Sequence, residues 1–297
     1  MAVVPTSLSV APGRRSGLLR RVAPGLGAAP FLIYSAVFLL LPTAIVVIGA
    51  FRAEDGGFSL VNIKQLSDPS AIDALRNSVV LSLVTAVIGA IVGAVVAYVL
   101  TTAAPNGVLR RVVTAASSVL AQFGGALLAF AFIATVGTNG LLSRSLTTVG
   151  ITIAPDFLST LGGLIPVYLY FQVPLMVIVF LPAVDGMRIQ WREATETLGG
   201  STWAFWRHVG GPLLLPSFLG STLLLFANAF SAYATAAALI SQYNPLIALQ
   251  IRGAIISETG SGAPNFAKAL ALVMVFVVAI VMFLYFWLQK RTSRWLR

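Results

Sequence analysis

The sequence predicts an all-α membrane protein with six transmembrane helices. Three observations predict it: an apolar composition, six long uncharged runs, and a one-sided distribution of basic residues. Of the 297 residues, 58% are hydrophobic and only 9% charged, with a mean hydropathy of +0.93. Soluble domains carry about 25% charged residues.

A helix needs about 20 apolar residues to cross the hydrocarbon core. Six runs meet this: Leu26–Phe51, Ala74–Leu100, Val112–Val136, Leu164–Val184, Leu213–Ile240 and Phe266–Leu288. The first is too long for a signal-peptide core and no cleavage site follows it, so it is expected to be retained. Residues 1–25 read as a basic tail and 26–73 as the first helix with its external loop. Residues 74–289 read as the core, and 290–297 as a second basic tail. In the second run Gly89, Gly93 and Ala97 line one face, with Ala86, Ala90 and Ala94 beside it. Small residues at this spacing let helices approach closely in lipid. Pro42, Pro166, Pro174 and Pro182 predict kinks.

Charge sets the orientation. With the N-terminus inside, thirteen basic and three acidic residues face the cytosol, and six of each face outward. The whole net charge of +10 then lies on the cytosolic side, as the positive-inside rule expects. It therefore calls for no nucleic-acid partner. With no cysteine and a single histidine, the chain offers no disulfide, thiolate metal site or cysteine nucleophile. The interiors of the runs hold no Asp, Glu, Lys, Arg or His, the groups that mark proton relays and voltage sensors. That weighs against a secondary carrier or gated channel. The few cytosolic acids, Asp185, Glu193 and Glu196, make a poor constellation for a membrane enzyme.

Residues 191–212, WREATETLGGSTWAFWRHVGGP, interrupt this apolar chain between runs four and five. Trp191–Leu198 can form two helical turns, Gly199 and Gly200 can end them, and Ser201 or Thr202 can cap a second short helix. Trp203, Phe205, Trp206 and His208 are expected near the surface, and Pro212 opens the fifth run. Such a cytosolic bracket suits a protein partner or the headgroup plane.

The stretch resembles the EAA loop of permease subunits of type I binding-protein-dependent ATP-binding-cassette (ABC) importers. Glu193-Ala194-Thr195, Gly199, Val209 and Pro212 stand at that pattern's spacing. Thr195 replaces Ala, Val209 replaces Ile, and Gly211 replaces Leu, a change expected to loosen the junction into the fifth run. Residues 75–100 also look like the start of the family's transmembrane domain, and the resemblance spans about residues 70–290. It implies a coupling helix within residues 185–211, seated on a cytosolic ATPase dimer through Glu193, Ala194, Gly199, Trp203, Phe205, Arg207 and Pro212. It further implies a second permease subunit, an extracytoplasmic substrate-binding protein and residence in the inner (plasma) membrane with both termini cytoplasmic. External loops 52–73, 137–162 and 242–265 would meet the binding protein. ATP and magnesium would bind the partner, with no cofactor in this chain, which has no Gly-x-x-x-x-Gly-Lys-Ser/Thr loop. The subunit itself is expected to be no enzyme. "TLGGS" and "FANAFSAYATAAALI" look more like polyamine and related small-ion permeases than sugar permeases, which have Asp-Gly where Leu198-Gly199 stands.

Polar residues inside the runs are candidates for the translocation path: Asn77, Gln122, Gln172, Asn228, Ser231, Tyr233 and Thr235. The spacing of Asn228, Ser231 and Thr235 predicts one shared helix face. Ser78 and Tyr168 join the set, and each residue could equally bond between helices.

Overall fold

The computed structural model describes residues 29–53, 56–104, 107–240, 246–256 and 263–292. The N-terminal tail, most of the C-terminal tail and parts of the loop at 242–265 lie outside these. The chain divides into two compact units, residues 1–49 and 50–297.

Helix α1 (Ala29–Ala50) contains a π turn at Ala36–Leu40, closed by the Leu41 N–H on the Ala36 carbonyl. Pro42 follows that turn. A proline inside a helix lacks a donor and crowds the carbonyl four residues back; the wider turn accommodates both.

In chain order follow α2 (Val61–Gln65), α3 (Pro69–Thr102), α4 (Val108–Gln122), α5 (Gly125–Val136), α6 (Leu141–Thr147) and α7 (Leu161–Asp185). Then come α8 (Ile189–Thr197), α9 (Thr202–Phe205), a π turn (Trp206–Gly210), α10 (Gly211–Ser231), α11 (Ala234–Leu239), α12 (Ile247–Ile255) and α13 (Pro264–Thr292). Six helical segments among the described residues are long and apolar enough to cross a membrane.

The core is built on α3, α7 and α10. Helix α3 opens on Pro69, whose fixed φ suits a first turn. The small-residue face is used within the chain. A Cβ on Gly89 would lie 3.0 Å from the Gln172 Cβ, and one on Gly93 only 2.5 Å from the Met176 Cβ. Successive turns of α3 therefore meet successive turns of α7, and the two helices run parallel. Helix α10 runs antiparallel to α3, with Trp206 against Tyr98 and Leu225 near Gly89. Helix α7 continues through Pro166, Pro174 and Pro182 without interruption.

Arg110 pairs with Asp185, tying the start of α4 to the end of α7. At the opposite end, Ser78 Oγ accepts from the Ile247 N–H at 2.9 Å, and Gln250 Nε2 donates to the Ser70 carbonyl at 2.8 Å, seating α12 on the start of α3.

Two predicted spans are not single helices. The run Val112–Val136 breaks at Phe123–Gly124 between α4 and α5. Gly125 sits at φ +72°, a backbone region that disfavours residues with a side chain. The run Leu213–Ile240 breaks after Ser231, where Ala232 is extended.

Candidate functional site

Two regions depart from plain helix, and both involve residues singled out from the sequence. The first is the bracket between α7 and α10. Helix α8 ends as the sequence predicts. Gly199 takes φ +76°; its N–H bonds the Glu196 carbonyl at 3.0 Å and the Gly200 N–H bonds the Thr195 carbonyl at 2.9 Å. This pair of bonds is a Schellman stop. Ser201 Oγ then accepts from the Ala204 N–H at 3.3 Å and caps α9.

The tip of the bracket is apolar and open: Leu198 is 87% exposed and Trp203 72%. Glu193, Ala194 and Arg207 are also exposed. Arg192 and Glu196, one turn apart, bond at 3.1 Å. His208 is exposed, and its Nδ1 donates to the Ala204 carbonyl at 3.0 Å.

The return leg differs from the expectation. Phe205 is buried, and Trp206 is half-buried, its ring edge-on to Tyr98 at 5.1 Å and 83°. Nor does Gly211 loosen the junction. From Thr202 to Ser231 the helix is continuous, carried through a π turn closed by the Gly211 N–H on the Trp206 carbonyl. A Cβ on Gly211 would lie 2.5 Å from that carbonyl oxygen. Glycine here permits the turn, and the turn admits Pro212 just beyond it. The signal was readable: Gly-Gly-Pro follows the aromatic pair.

The second region joins the two helix breaks. Gly125 N–H donates to Thr235 Oγ1 at 2.9 Å, and that hydroxyl donates back to the Gly125 carbonyl at 3.3 Å. Tyr168 Oη donates to the Ala232 carbonyl at 3.0 Å. Irregular backbone at membrane depth is tolerated where it is buried in protein or lines a cavity. Here the breaks line a cavity of about 340 Å³.

Gln122, Asn228, Ser231, Tyr233 and Thr235 all border this cavity, alongside Phe171. Among the described residues its lining holds no charged side chain. The predicted common helix face for Asn228, Ser231 and Thr235 is corrected: Thr235 belongs to α11, beyond the break, and the three converge by tertiary folding. Ser231 Oγ donates back to the Ala227 carbonyl at 3.0 Å. Asn77 lies half-buried on α3, and Gln172 is fully buried near Gly89; neither borders the cavity.

No family model matches the chain. The spermidine/putrescine transport system permease protein PotB of Haemophilus influenzae is 22% identical over 265 residues, covering 86% of this chain and 91% of that protein. Among solved structures, a bacterial ABC transporter involved in the import of the acidic polysaccharide alginate aligns with a TM-score of 0.74 at 14% identity, over 94% of this chain and 98% of that one. The same kind of transporter in complex with an alginate pentasaccharide-bound periplasmic protein aligns at 0.73 and 15% identity, over 93% and 96% of the two chains. The inward-facing MetNI methionine ABC transporter aligns at 0.57 and 16% identity, over 76% and 99%. The fold of the described residues, with six helical segments long enough to cross a membrane, is the fold of the matching chains in these solved ABC transporters.

Proposed function

We propose that the chain is the permease subunit of an ATP-driven, binding-protein-dependent importer of a small solute, with polyamines or related small organic ions as the favoured class. The observation that carries this reading is the bracket. It presents Leu198 and Trp203 to solvent on a rigidly stopped and capped pair of helices. Large apolar side chains held out on a charged rim serve as anchors for a protein partner.

In this reading the bracket seats on a cytosolic ATPase, which binds ATP and magnesium, and both termini are cytoplasmic. Two permease subunits and an extracytoplasmic binding protein complete the complex. The alginate relative was solved with its periplasmic protein bound, which supports that kind of partner. The solute passes the neutral cavity at the helix breaks, where Gln122, Asn228, Ser231, Tyr233 and Thr235 offer amides and hydroxyls. The solute class rests on the polyamine-type motif and on the distant relative that bears that name.

Co-purification from membranes tests the reading, with tagged wild type beside a Glu193→Lys, Gly199→Asp variant. Wild type should bring down an ATPase subunit, and the inserted variant should not. Wild type coming down alone, or the variant retaining the ATPase, would remove the bracket as the docking site.

A further inference from the structure

The geometry points to Trp206, packed on Tyr98, as the positioning residue that passes movement of the bracket into α3. The inference rests on the docking role of the bracket and adds how force leaves it.

The bracket is joined through the chain to α7 at its start and to α10 at its end. A continuous helix from Thr202 to Ser231 makes the return leg and α10 one body. A third path, into α3, is lateral and sequence-distant. Trp206 reaches across to Tyr98, and the rings meet edge to face, with centroids 5.1 Å apart. Phe205 supports Trp206 from behind at 5.6 Å and 74°. Edge-to-face pairs have a preferred geometry in addition to buried area, so the pair resists sliding as well as separation.

Three features mark this contact as a joint and not simply as core. The backbone beneath Trp206 is a π turn, a local departure from helix that often occurs at functional sites. Gly210 lets both rings sit close over the backbone: a Cβ there would lie 3.0 Å from the Phe205 and Trp206 rings. Beside the pair runs an open apolar groove of about 350 Å³, bordered by Tyr98, Trp206 and Phe218 with exposed Val95 and Leu215 at its mouth. The Trp206 ring therefore has one open side, on which it can shift without unmaking the α3–α7 seam. Tyr98 lies beyond Gly89 and Gly93 on the same helix, where α3 is locked to α7. A push on Tyr98 therefore moves α3 and α7 together.

The absence of cysteine allows a direct test. Val99 is 55% exposed beside Tyr98; Val99→Cys carries an environment-sensitive fluorophore in the full complex with the ATPase that co-purifies. Magnesium-ATP should change the emission in the otherwise wild-type protein. Trp206→Leu should keep the ATPase bound, with hydrolysis within about twofold, yet lose about fivefold or more of the emission change. Trp206→Phe, which restores an aromatic edge, should recover it. An undiminished response in Trp206→Leu, or no recovery in Trp206→Phe, overturns the joint. Loss of the ATPase from Trp206→Leu also overturns it, by making Trp206 part of the docking face. Absence of the ATPase from the wild-type protein defeats the docking reading itself, a separate outcome.

Discussion

The bracket and the paired helix breaks both depart from regular helix next to glycines, but they do so in opposite ways. At Gly210–Gly211 the helix widens and continues, with aromatic rings against Gly210 and the Trp206 carbonyl against Gly211. At Gly124–Gly125 the helix stops, and no heavy atom stands within 4 Å of a Cβ built on Gly124. The first arrangement keeps one continuous helix and the second borders a cavity. The difference lies in what satisfies the backbone. In the π turn the helix bonds to itself. At the breaks it relies on Thr235 and Tyr168 from other elements, so the opening depends on tertiary contacts that can exchange.

Substitutions at the glycines probe this contrast with the largest expected effect. Gly211→Leu, the residue of the family pattern, must displace the Trp206 carbonyl and should destabilise the folded protein by about 1–3 kcal/mol, read as a lowered thermal midpoint in detergent. Unchanged stability would mean that the π turn is dispensable. The tip comes next. Leu198→Asp with Trp203→Ser leaves both helices capped but removes the anchors, and ATPase binding should weaken about thirtyfold, or about 2 kcal/mol. Wild-type affinity in that variant would shift the contact to the charged rim.

In the opening, Gln122→Leu with Asn228→Leu should lower uptake about tenfold and leave thermal stability near wild type, because both side chains are exposed to the cavity. Full uptake would place the path elsewhere. Thr235→Val keeps the shape but removes both bonds to Gly125, and should lower stability by about 1 kcal/mol. A loss several times larger would show that the two breaks fold as one unit. Smallest of all is Arg110→Gln. Its ion pair with Asp185 is partly exposed, and such pairs contribute about 1 kcal/mol or less.

Much of this was legible in the sequence. The close packing of α3 follows from Gly89 and Gly93 at helical spacing, though not the identity of its partner α7, and the bracket follows from Gly199, Gly200 and Ser201, whose bonds are local. The breaks were missed for different reasons. Gly124–Gly125 is a visible signal buried in an apolar run, and apolar length outweighed it. The break at Ala232–Tyr233 has no glycine or proline to announce it. It exists because Tyr168 holds the Ala232 carbonyl and Thr235 holds Gly125, and those partners lie 64 and 110 residues away in the chain. No local pattern encodes such a contact. The burial of Phe205 was missed because its ring packs on Trp206 and over Gly210, a contact made by the π turn and not by a regular helix.

Uptake into proteoliposomes tests the central claim most directly. The permease is reconstituted with its co-purified ATPase and with the binding protein on the substrate side, and radiolabelled spermidine serves as the first solute of a small panel of organic cations and sugars. The account predicts accumulation against a gradient that requires ATP and the binding protein and is abolished in the Leu198→Asp, Trp203→Ser variant. Accumulation without ATP, driven by an ion gradient or by diffusion alone, would contradict it.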